Sequence, residues 1–343
     1  MKFGVSIGVS PRESFARFVG LVQTAEAAGI DAVWVVDSHL IMKDSIVALT
    51  AAALATKHIE LGIGVANPIT RHPTLLAGTF ASLQDLSGGR ALLGIGAGDS
   101  AVFPLGLQPA RLAEMEDVVR TVKALGAGET AAVNGQTVRL ATAVNPPPPV
   151  FVAATHPKML ALAGRLADGV IVMGPADPAF AAEQIGTVRD AAAAAGRPSG
   201  APFIDLWVTV SMQSDHARAL EDVRSWASAN ARWLNRRQTL PPSLERHREE
   251  LIAAARDYDF SHHLSVGADH ARVVGDALTE ALAVAGDASA CADRLSALAQ
   301  LRPDRMTLTL LSGGREARLR AFAEDLLPRL GAERRGAAAP AAQ

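Results

Sequence analysis

Short apolar runs alternate with longer segments of helical periodicity along most of the chain. This alternation predicts strands that are each followed by a helix. The apolar runs are bounded by Gly, Pro, Asp and Ser, as strands of a buried sheet are. The predicted strands are Lys2–Val9, Asp31–Val36, Ile59–Ala66, Ala91–Ala97, Val150–Thr155, Gly169–Met173, Phe203–Ser211 and Arg305–Leu311.

The segments between these strands carry helix signals such as Gly29 after the first helix and Asp44 before the second. Predicted helices cover Pro11–Ala28, Asp44–Lys57, Thr74–Leu86, Pro109–Leu125, His156–Ala167, Pro178–Ala195, His216–Arg237, Leu244–Tyr258, Asp269–Leu282, Ala288–Leu301 and Glu316–Leu330. Thr130–Leu140 is predicted to be a hairpin that turns at Asn134-Gly135.

Eight strand–helix units predict an α/β fold, a (β/α)8 TIM barrel. An open doubly wound sheet is the alternative, but no Gly-x-Gly-x-x-Gly opens a helix after the first strand. The regular alternation breaks after the seventh strand, so residues 211–267 are predicted to form a helical insertion or lid. We expect a single domain over residues 1–331 and a disordered tail over residues 332–343, which are rich in Ala, Pro and Gly.

Charge and composition exclude several classes of function. The formal net charge is -2, which gives no electrostatic footprint for nucleic acid or for an anionic membrane surface. The single Cys291 excludes an intramolecular disulfide, and His, Asp and Glu show no spacing typical of a metal site. No signal peptide and no long apolar run is visible. We therefore expect a soluble, cytoplasmic protein without metal.

Two neighbouring predicted strands carry glycine at alternate positions. Gly62 and Gly64 lie in the third strand, and Gly94 and Gly96 lie in the fourth, with Gly98 just beyond. Glycine weakens a strand unless another group must approach the backbone closely. These glycines indicate either a wall for a flat ligand ring or close packing inside the barrel without a ligand, and the pattern alone leaves both open.

Titratable residues follow two predicted strands, at the end of the barrel where active sites lie. His39 is the best general acid or base candidate, because histidine changes its charge near neutral pH, and Asp37 could orient it. Asp99 is a second candidate proton donor. Helix capping by the two aspartates, with a solvated His39, is the alternative interpretation of these residues.

The segment Ala153–Lys158 joins the fifth predicted strand to a helix with proline in its first turn. Free backbone amides, the Thr155 hydroxyl and the helix dipole suit a phosphate, and Lys158 could add charge. An ordinary helix N-cap is the alternative.

Several motifs together resemble a known family. They are Asp37-Ser38-His39, Gly62-Ile-Gly-Val-Ala-Asn-Pro68, Thr70-Arg-His-Pro73, Ser87-Gly-Gly-Arg90, Gly94-Ile-Gly-Ala-Gly-Asp-Ser100 and Leu162-Ala-Gly-Arg-Leu-Ala-Asp-Gly169. In order and spacing they resemble the bacterial luciferase-like monooxygenase superfamily, and within it the branch that depends on the deazaflavin coenzyme F420 and includes methylenetetrahydromethanopterin reductases. The resemblance covers about residues 1–175 and the last strand and helix.

The resemblance implies a deazaflavin or FMN at the C-terminal mouth of a barrel, against a non-proline cis peptide that maps to Gly64-Val65. It also implies a homodimer. Implied catalytic residues are His39, Asp99 and Asp37. Implied cofactor-binding residues are Asp37, Gly64, Val65, Ala66, Asn67, Ala97, Gly98, Ala154, Thr155, His156 and Gly174.

The resemblance therefore predicts an oxidoreductase that transfers a hydride between reduced F420 and a small organic substrate, an imine, iminium or activated alkene. Two alternatives remain at this stage. One is an FMN-dependent monooxygenase of the same superfamily, and the other is a barrel that binds flavin without catalysis.

Overall fold

Eight parallel strands close into a barrel in the part of the chain that the computed structural model describes, residues 1–174, 176–311 and 313–331. Around the barrel the order is β1, β2, β3, β4, β7, β8, β9 and β11, and β11 pairs with β1. This closure confirms the predicted (β/α)8 fold. The strands are β1 (Lys2–Ile7), β2 (Ala32–Val35), β3 (Glu60–Ala66), β4 (Ala91–Ile95), β5 (Thr130–Val133), β6 (Gln136–Arg139), β7 (Val150–Ala154), β8 (Gly169–Met173), β9 (Phe203–Met212), β10 (Val284–Gly286) and β11 (Arg305–Thr309).

Helices surround the barrel, and several begin where an Asp or Ser side chain accepts a hydrogen bond from a first-turn amide. The helices are α1 (Phe15–Ala27), α2 (Ser45–Ala55), α3 (Pro73–Leu86), α4 (Leu112–Gly126), α5 (Pro157–Leu166), α6 (Pro178–Ala194), α7 (His216–Leu234), α8 (Pro242–Glu245), α9 (Arg248–Arg256), α10 (Asp276–Leu282), α11 (Ala288–Ala299) and α12 (Arg315–Ala321).

The predicted elements differ from the structure mainly outside the barrel. The predicted helix Leu244–Tyr258 is wrong as one element, because α8 and α9 are separate helices. The strand β10 was not predicted, since three residues are too short to show a period. The hairpin β5–β6 is confirmed, with Asn134 and Gly135 at φ of 50° and 76°. The predicted tail, residues 332–343, lies outside the described residues.

Aromatic side chains fill the barrel interior in the space that glycines leave. Trp34 on β2 lies beside Gly62 on β3, and a Cβ atom added to Gly62 would lie 2.2 Å from Trp34 Cε3. A Cβ atom at Gly64 would lie 2.6 Å from Trp207 Cη2 on β9. At Gly94, the added Cβ would lie 2.3 Å from the carbonyl oxygen of Ile63. For Gly62 and Gly94 the close-packing interpretation is therefore the correct one.

A buried ion pair crosses the lower part of the barrel interior. Arg305 Nε donates to Asp205 Oδ2 at 2.7 Å, and both side chains are fully buried. Trp34 Nε1 donates to the same oxygen at 3.0 Å, and Thr307 Oγ1 donates to Oδ1 at 2.7 Å. Arg305 also donates to Glu60 at 2.5 Å. The carboxylate thus has several hydrogen-bond donors, as a buried charge requires.

The segment between β9 and α11 forms the insertion, and it follows the seventh strand of the barrel as predicted. The helices α7, α8, α9 and α10 share their own apolar cluster, which includes Ala231, Leu251 and Leu278. This packing continues to Leu282, beyond the predicted end at residue 267. The part between α9 and α10 contains a buried polar group, in which the Tyr258 hydroxyl bonds to His263 Nδ1 and the Tyr258 ring lies 4.5 Å from that of His270.

We expect Gly62→Ala to lower the free energy of unfolding by about 1–3 kcal/mol, because the new methyl group overlaps the Trp34 ring. Gly20→Ala is the matched control. Gly20 lies exposed in α1 with nothing within 4 Å of an added Cβ, so the change should stabilise by about 0.4–1 kcal/mol. Urea denaturation measures both, and equal effects would contradict the packing described here.

His263 gives the structure an acid sensitivity that can be measured. Burial, followed by the charges of Arg232 and His270, lowers the pKa of His263 to about 3. The unfolded chain, with a His pKa near 6.5, therefore binds more protons below about pH 6.5 than the folded chain does. This group makes the free energy of unfolding fall as the pH falls from about 6.5 towards 3.

His263→Gln should therefore lose less stability than the parent protein between pH 7 and pH 4, by on the order of 1–3 kcal/mol. Urea denaturation at both pH values measures the difference. His58→Gln, on an exposed loop, is the control and should behave as the parent does. Parallel stability curves for the parent protein and His263→Gln would show that His263 is not the group responsible.

Candidate active site

A cavity of about 330 Å³ lies at the C-terminal ends of the barrel strands, where the insertion meets them. Most of the predicted site residues line it. They are Asp37, Gly64, Val65, Ala66, Asn67, Ala97, Gly98, Asp99, Ala154, Thr155 and His156. The structure thus brings together residues that follow four different strands, in the arrangement that barrel active sites have.

Two of the predicted site residues do not line this cavity. His39 has an exposed side chain on the loop after β2. Gly174 lies behind the wall, where an added Cβ would be 2.4 Å from Gln184 Oε1. Gln184 Nε2 donates to the carbonyl oxygens of Met173 at 3.0 Å and Thr155 at 3.3 Å. Gly174 therefore gives room to a side chain that supports the wall.

The floor of the cavity is formed where β3 changes its register against β4. The Gly64-Val65 peptide is cis, as the resemblance implied, and the pairing of β3 with β4 shifts between Ile63 and Ala66. An added Cβ at Gly96 would lie 2.8 Å from Val65 Cγ2. Gly96, just beyond β4, therefore makes room for Val65, and the floor of the cavity carries the Val65 side chain.

Asp37 is held by a network of donors at the edge of the cavity. Arg71 donates to its carboxylate from Nε at 2.9 Å and from Nη2 at 3.0 Å, and Ser45 Oγ donates at 2.8 Å. Arg71 also contacts Asp44. The hydrogen bonding of Arg71 to Asp37 is the largest cause that raises the pKa of Arg71. Asp37 is thus a fixed, charged anchor for the loop after β2, and sequence reasoning did not find its partner Arg71.

Asp99 forms an ion pair with Arg232 of α7, so it links the barrel to the insertion. The Asp99 side chain is 45% exposed, whereas that of Arg232 is 7% exposed. The guanidinium lies 4.9 Å from the ring centroid of Phe260, 5.0 Å from that of Tyr258 and 5.8 Å from that of Phe103. A buried guanidinium needs a counter-charge, and Asp99 supplies it here.

The start of α5 lacks a side-chain cap. His156 is the N-cap residue, but its side chain makes no capping hydrogen bond to the helix. Burial, then the charges of Arg237 and Arg236, lower the pKa of His156, which keeps its imidazole neutral. Thr155 and His156 line the cavity, whereas Lys158 is exposed and does not. The side-chain N-cap offered as the alternative interpretation is absent at this helix.

Eight further lining residues come from the insertion, and sequence reasoning did not predict them. They include Trp226, Asn230, Arg232, Trp233, Arg236 and His263. Trp226 and Trp233 lie seven residues apart in α7, which is a helical spacing that could have indicated one common face. Ser38 and Ser100 also line the cavity and hydrogen-bond to each other at 2.7 Å.

Two negative findings hold for the described residues. No group of three or more His, Cys, Asp or Glu is arranged to hold a metal ion among residues 1–174, 176–311 and 313–331. In the same ranges, none of the helices has the length and apolar character that crossing a bilayer requires.

The chain is similar to several proteins of known activity. It is 32% identical over 229 residues to a 5,10-methylenetetrahydromethanopterin reductase of Methanolobus tindarius, which covers 64% of this chain and 68% of the relative. It is 34% identical over 239 residues to an F420-dependent glucose-6-phosphate dehydrogenase of Beutenbergia cavernae, which covers 64% of this chain and 70% of the relative.

Among solved structures, the coenzyme F420 dependent tetrahydromethanopterin reductase of Methanopyrus kandleri has the same fold. The TM-score is 0.76 at 23% identity, over 96% of this chain and 99% of the other. The luciferase-like monooxygenase family matches residues 1–305 of the chain. This match covers the strands of the barrel up to the start of β11 and confirms the resemblance seen in the motifs. The chain therefore belongs to the luciferase-like monooxygenase family of enzymes.

Proposed function

We propose that the protein is an F420-dependent oxidoreductase that transfers a hydride between reduced deazaflavin and a small organic substrate, an imine, iminium or activated alkene. The observation that carries the proposal is the cavity at the mouth of the barrel, with Val65 on its floor and uncapped amides at its edge. The names of the two relatives described above support F420 as the cofactor in preference to FMN.

The residues of the cavity fit a flavin-like group. Its volume of about 330 Å³ lies within the range of small-molecule sites. Val65, Ala97 and Gly98 have small apolar side chains or none, so they offer a flat ring an even apolar surface. The amides at the start of α5, together with Thr155, suit the phosphate of its side chain. A bound reduced deazaflavin would supply the hydride, and the protein would orient it and exclude water.

The predicted catalytic residues receive different roles in this proposal. Asp37 positions the loop after β2 through Arg71. Asp99 pairs with Arg232, so we assign it the role of positioning the insertion against the barrel instead of donating the proton. We assign proton delivery to His39, which directly follows the lining residue Ser38 on the loop after β2.

The quenching of tryptophan fluorescence measures the affinity for each cofactor, because Trp207, Trp226 and Trp233 line the cavity. We expect F420 to bind at least about tenfold more tightly than FMN, a difference of about 1.4 kcal/mol. Ala153→Phe should weaken the binding of both by a similar factor, because Ala153 belongs to the interior cluster and lines the cavity.

Ala194→Phe is the control, since Ala194 lies exposed near the end of α6. It should leave both affinities unchanged. Tighter binding of FMN, with consumption of oxygen by the reduced complex, would replace the proposal by a monooxygenase. Unchanged binding in Ala153→Phe would show that the ring lies elsewhere.

We propose that a second copy of the chain covers the outer face of α2 and α3. Large apolar side chains are exposed there: Val47 at 51%, Leu54 at 70%, Leu75 at 59% and Leu86 at 45%. Isolated apolar residues are normal on a surface, but several on two neighbouring helices are typical of an interface. This face supports the homodimer that the resemblance implied.

Light scattering after size exclusion should find a dimer, and Leu54→Lys should shift it to a monomer because the charge would be buried in the interface. Ile252→Lys is the matched control on the insertion, where Ile252 is 48% exposed, and it should leave the dimer intact. A monomeric parent protein, or a dimeric Leu54→Lys variant, would refute this interface.

A further inference from the structure

A second cavity, of about 190 Å³, adjoins the active-site cavity on the side of the insertion. The two cavities share Phe103, Arg232 and Arg236 as lining residues. Tyr258 and Phe260 complete most of the outer wall. We call this space the vestibule. It lies between the loop after β4 and the insertion. A molecule lying in it can therefore extend into the active-site cavity, which we call the ring cavity.

The walls of the vestibule suit a flat, conjugated group. The rings of Phe103 and Phe260 lie 5.5 Å apart with an angle of 36° between their planes. The ring of Tyr258 meets that of Phe260 edge-on at 5.1 Å. The faces and edges of these rings that line the vestibule can stack on a planar guest or meet it edge-on.

Arg236 brings an unbalanced positive charge to both cavities. Arg232, four residues earlier, is neutralised by Asp99, and Asp37 is neutralised by Arg71. Arg236 is exposed, its guanidinium lies 5.7 Å from the ring centroid of Phe103, and no carboxylate in the described ranges forms an ion pair with it. Its planar fork of donors is suited to a carboxylate.

The two imidazoles that line the ring cavity do not change this balance. Burial is the largest cause that lowers the pKa values of both His156 and His263, so both are neutral at pH 7. The charged groups lining the two cavities are therefore Asp37, Asp99, Arg232 and Arg236, of which Arg236 lacks a counter-charge among the described residues.

We propose that the vestibule binds the carboxylate end of an aromatic or α,β-unsaturated carboxylate substrate, with Arg236 as the residue that holds the carboxylate. The aromatic walls hold the conjugated part, and the reacting double bond extends into the ring cavity. This inference rests on the proposed function for the identity of the reaction, but binding of the carboxylate is measurable without it.

The probes are trans-cinnamate and the neutral trans-cinnamamide, which have the same shape and differ in charge. Each is titrated by calorimetry into the full chain without cofactor. Cinnamate should bind at least about tenfold more tightly than the amide. Arg236→Gln should remove this preference and leave the affinity for the amide unchanged. Arg246→Gln is the matched control, because Arg246 is exposed in the insertion and lines neither cavity.

Equal affinity for the acid and the amide, or binding of neither, overturns the inference. A preference for the acid that survives Arg236→Gln also overturns it. A parallel titration with F420 and FMN separates this test from that of the proposed function. Loss of cofactor affinity in Arg236→Gln, with the preference for cinnamate kept, assigns Arg236 to the anionic side chain of the cofactor. Loss of the preference in a protein that binds neither cofactor supports the vestibule and refutes the proposed function.

Discussion

The packing of two tryptophans, one on β2 and one on β9, against glycines of β3 is the constraint on which this structure depends. The interior of a barrel is filled by side chains, so two tryptophans on its strands need neighbours with no side chain. Gly62 and Gly64 are these neighbours, and they admit the rings of Trp34 and Trp207. The indole of Trp34 in turn donates to Asp205, which holds Arg305. One set of contacts therefore links the packing of the interior to the satisfaction of its buried charges.

The same constraint shapes the active site above this layer. Trp207 closes the bottom of the cavity, so the space available to a ligand begins at Val65. Val65 can lie there because Gly94 on β4 and Gly96 just beyond it leave room for its two methyl groups, to which added Cβ atoms would come within 3.0 Å and 2.8 Å. In our proposal the glycines of the two strands therefore act on the ligand only through Val65. They place one aliphatic side chain where a flat ring would rest.

The sequence predicted the barrel and its mouth because both depend on local patterns. Short apolar runs, caps and glycine spacing are properties of neighbouring residues, and the motifs around Asp37, Gly64 and Asp99 fall at the ends of strands. The partners of these residues were not predictable in the same way. Arg71 reaches Asp37 from 34 residues away and Arg232 reaches Asp99 from 133 residues away. The insertion carries no motif. Its helices α8 and α9 are short and adjacent, so their apolar positions do not show where one helix ends and the next begins.

The barrel and the insertion supply different parts of the site. The barrel supplies the floor, the amides of α5 and the anchored Asp37, all of which concern the cofactor in our proposal. The insertion supplies Trp226, Trp233 and both lining arginines, and it meets the barrel at the pair of Asp99 and Arg232. Arg232 is buried among the rings of three aromatic residues, and Asp99 is the carboxylate that balances its charge. The Asp99–Arg232 ion pair therefore joins the part of the site that we assign to the cofactor to the part that the insertion supplies.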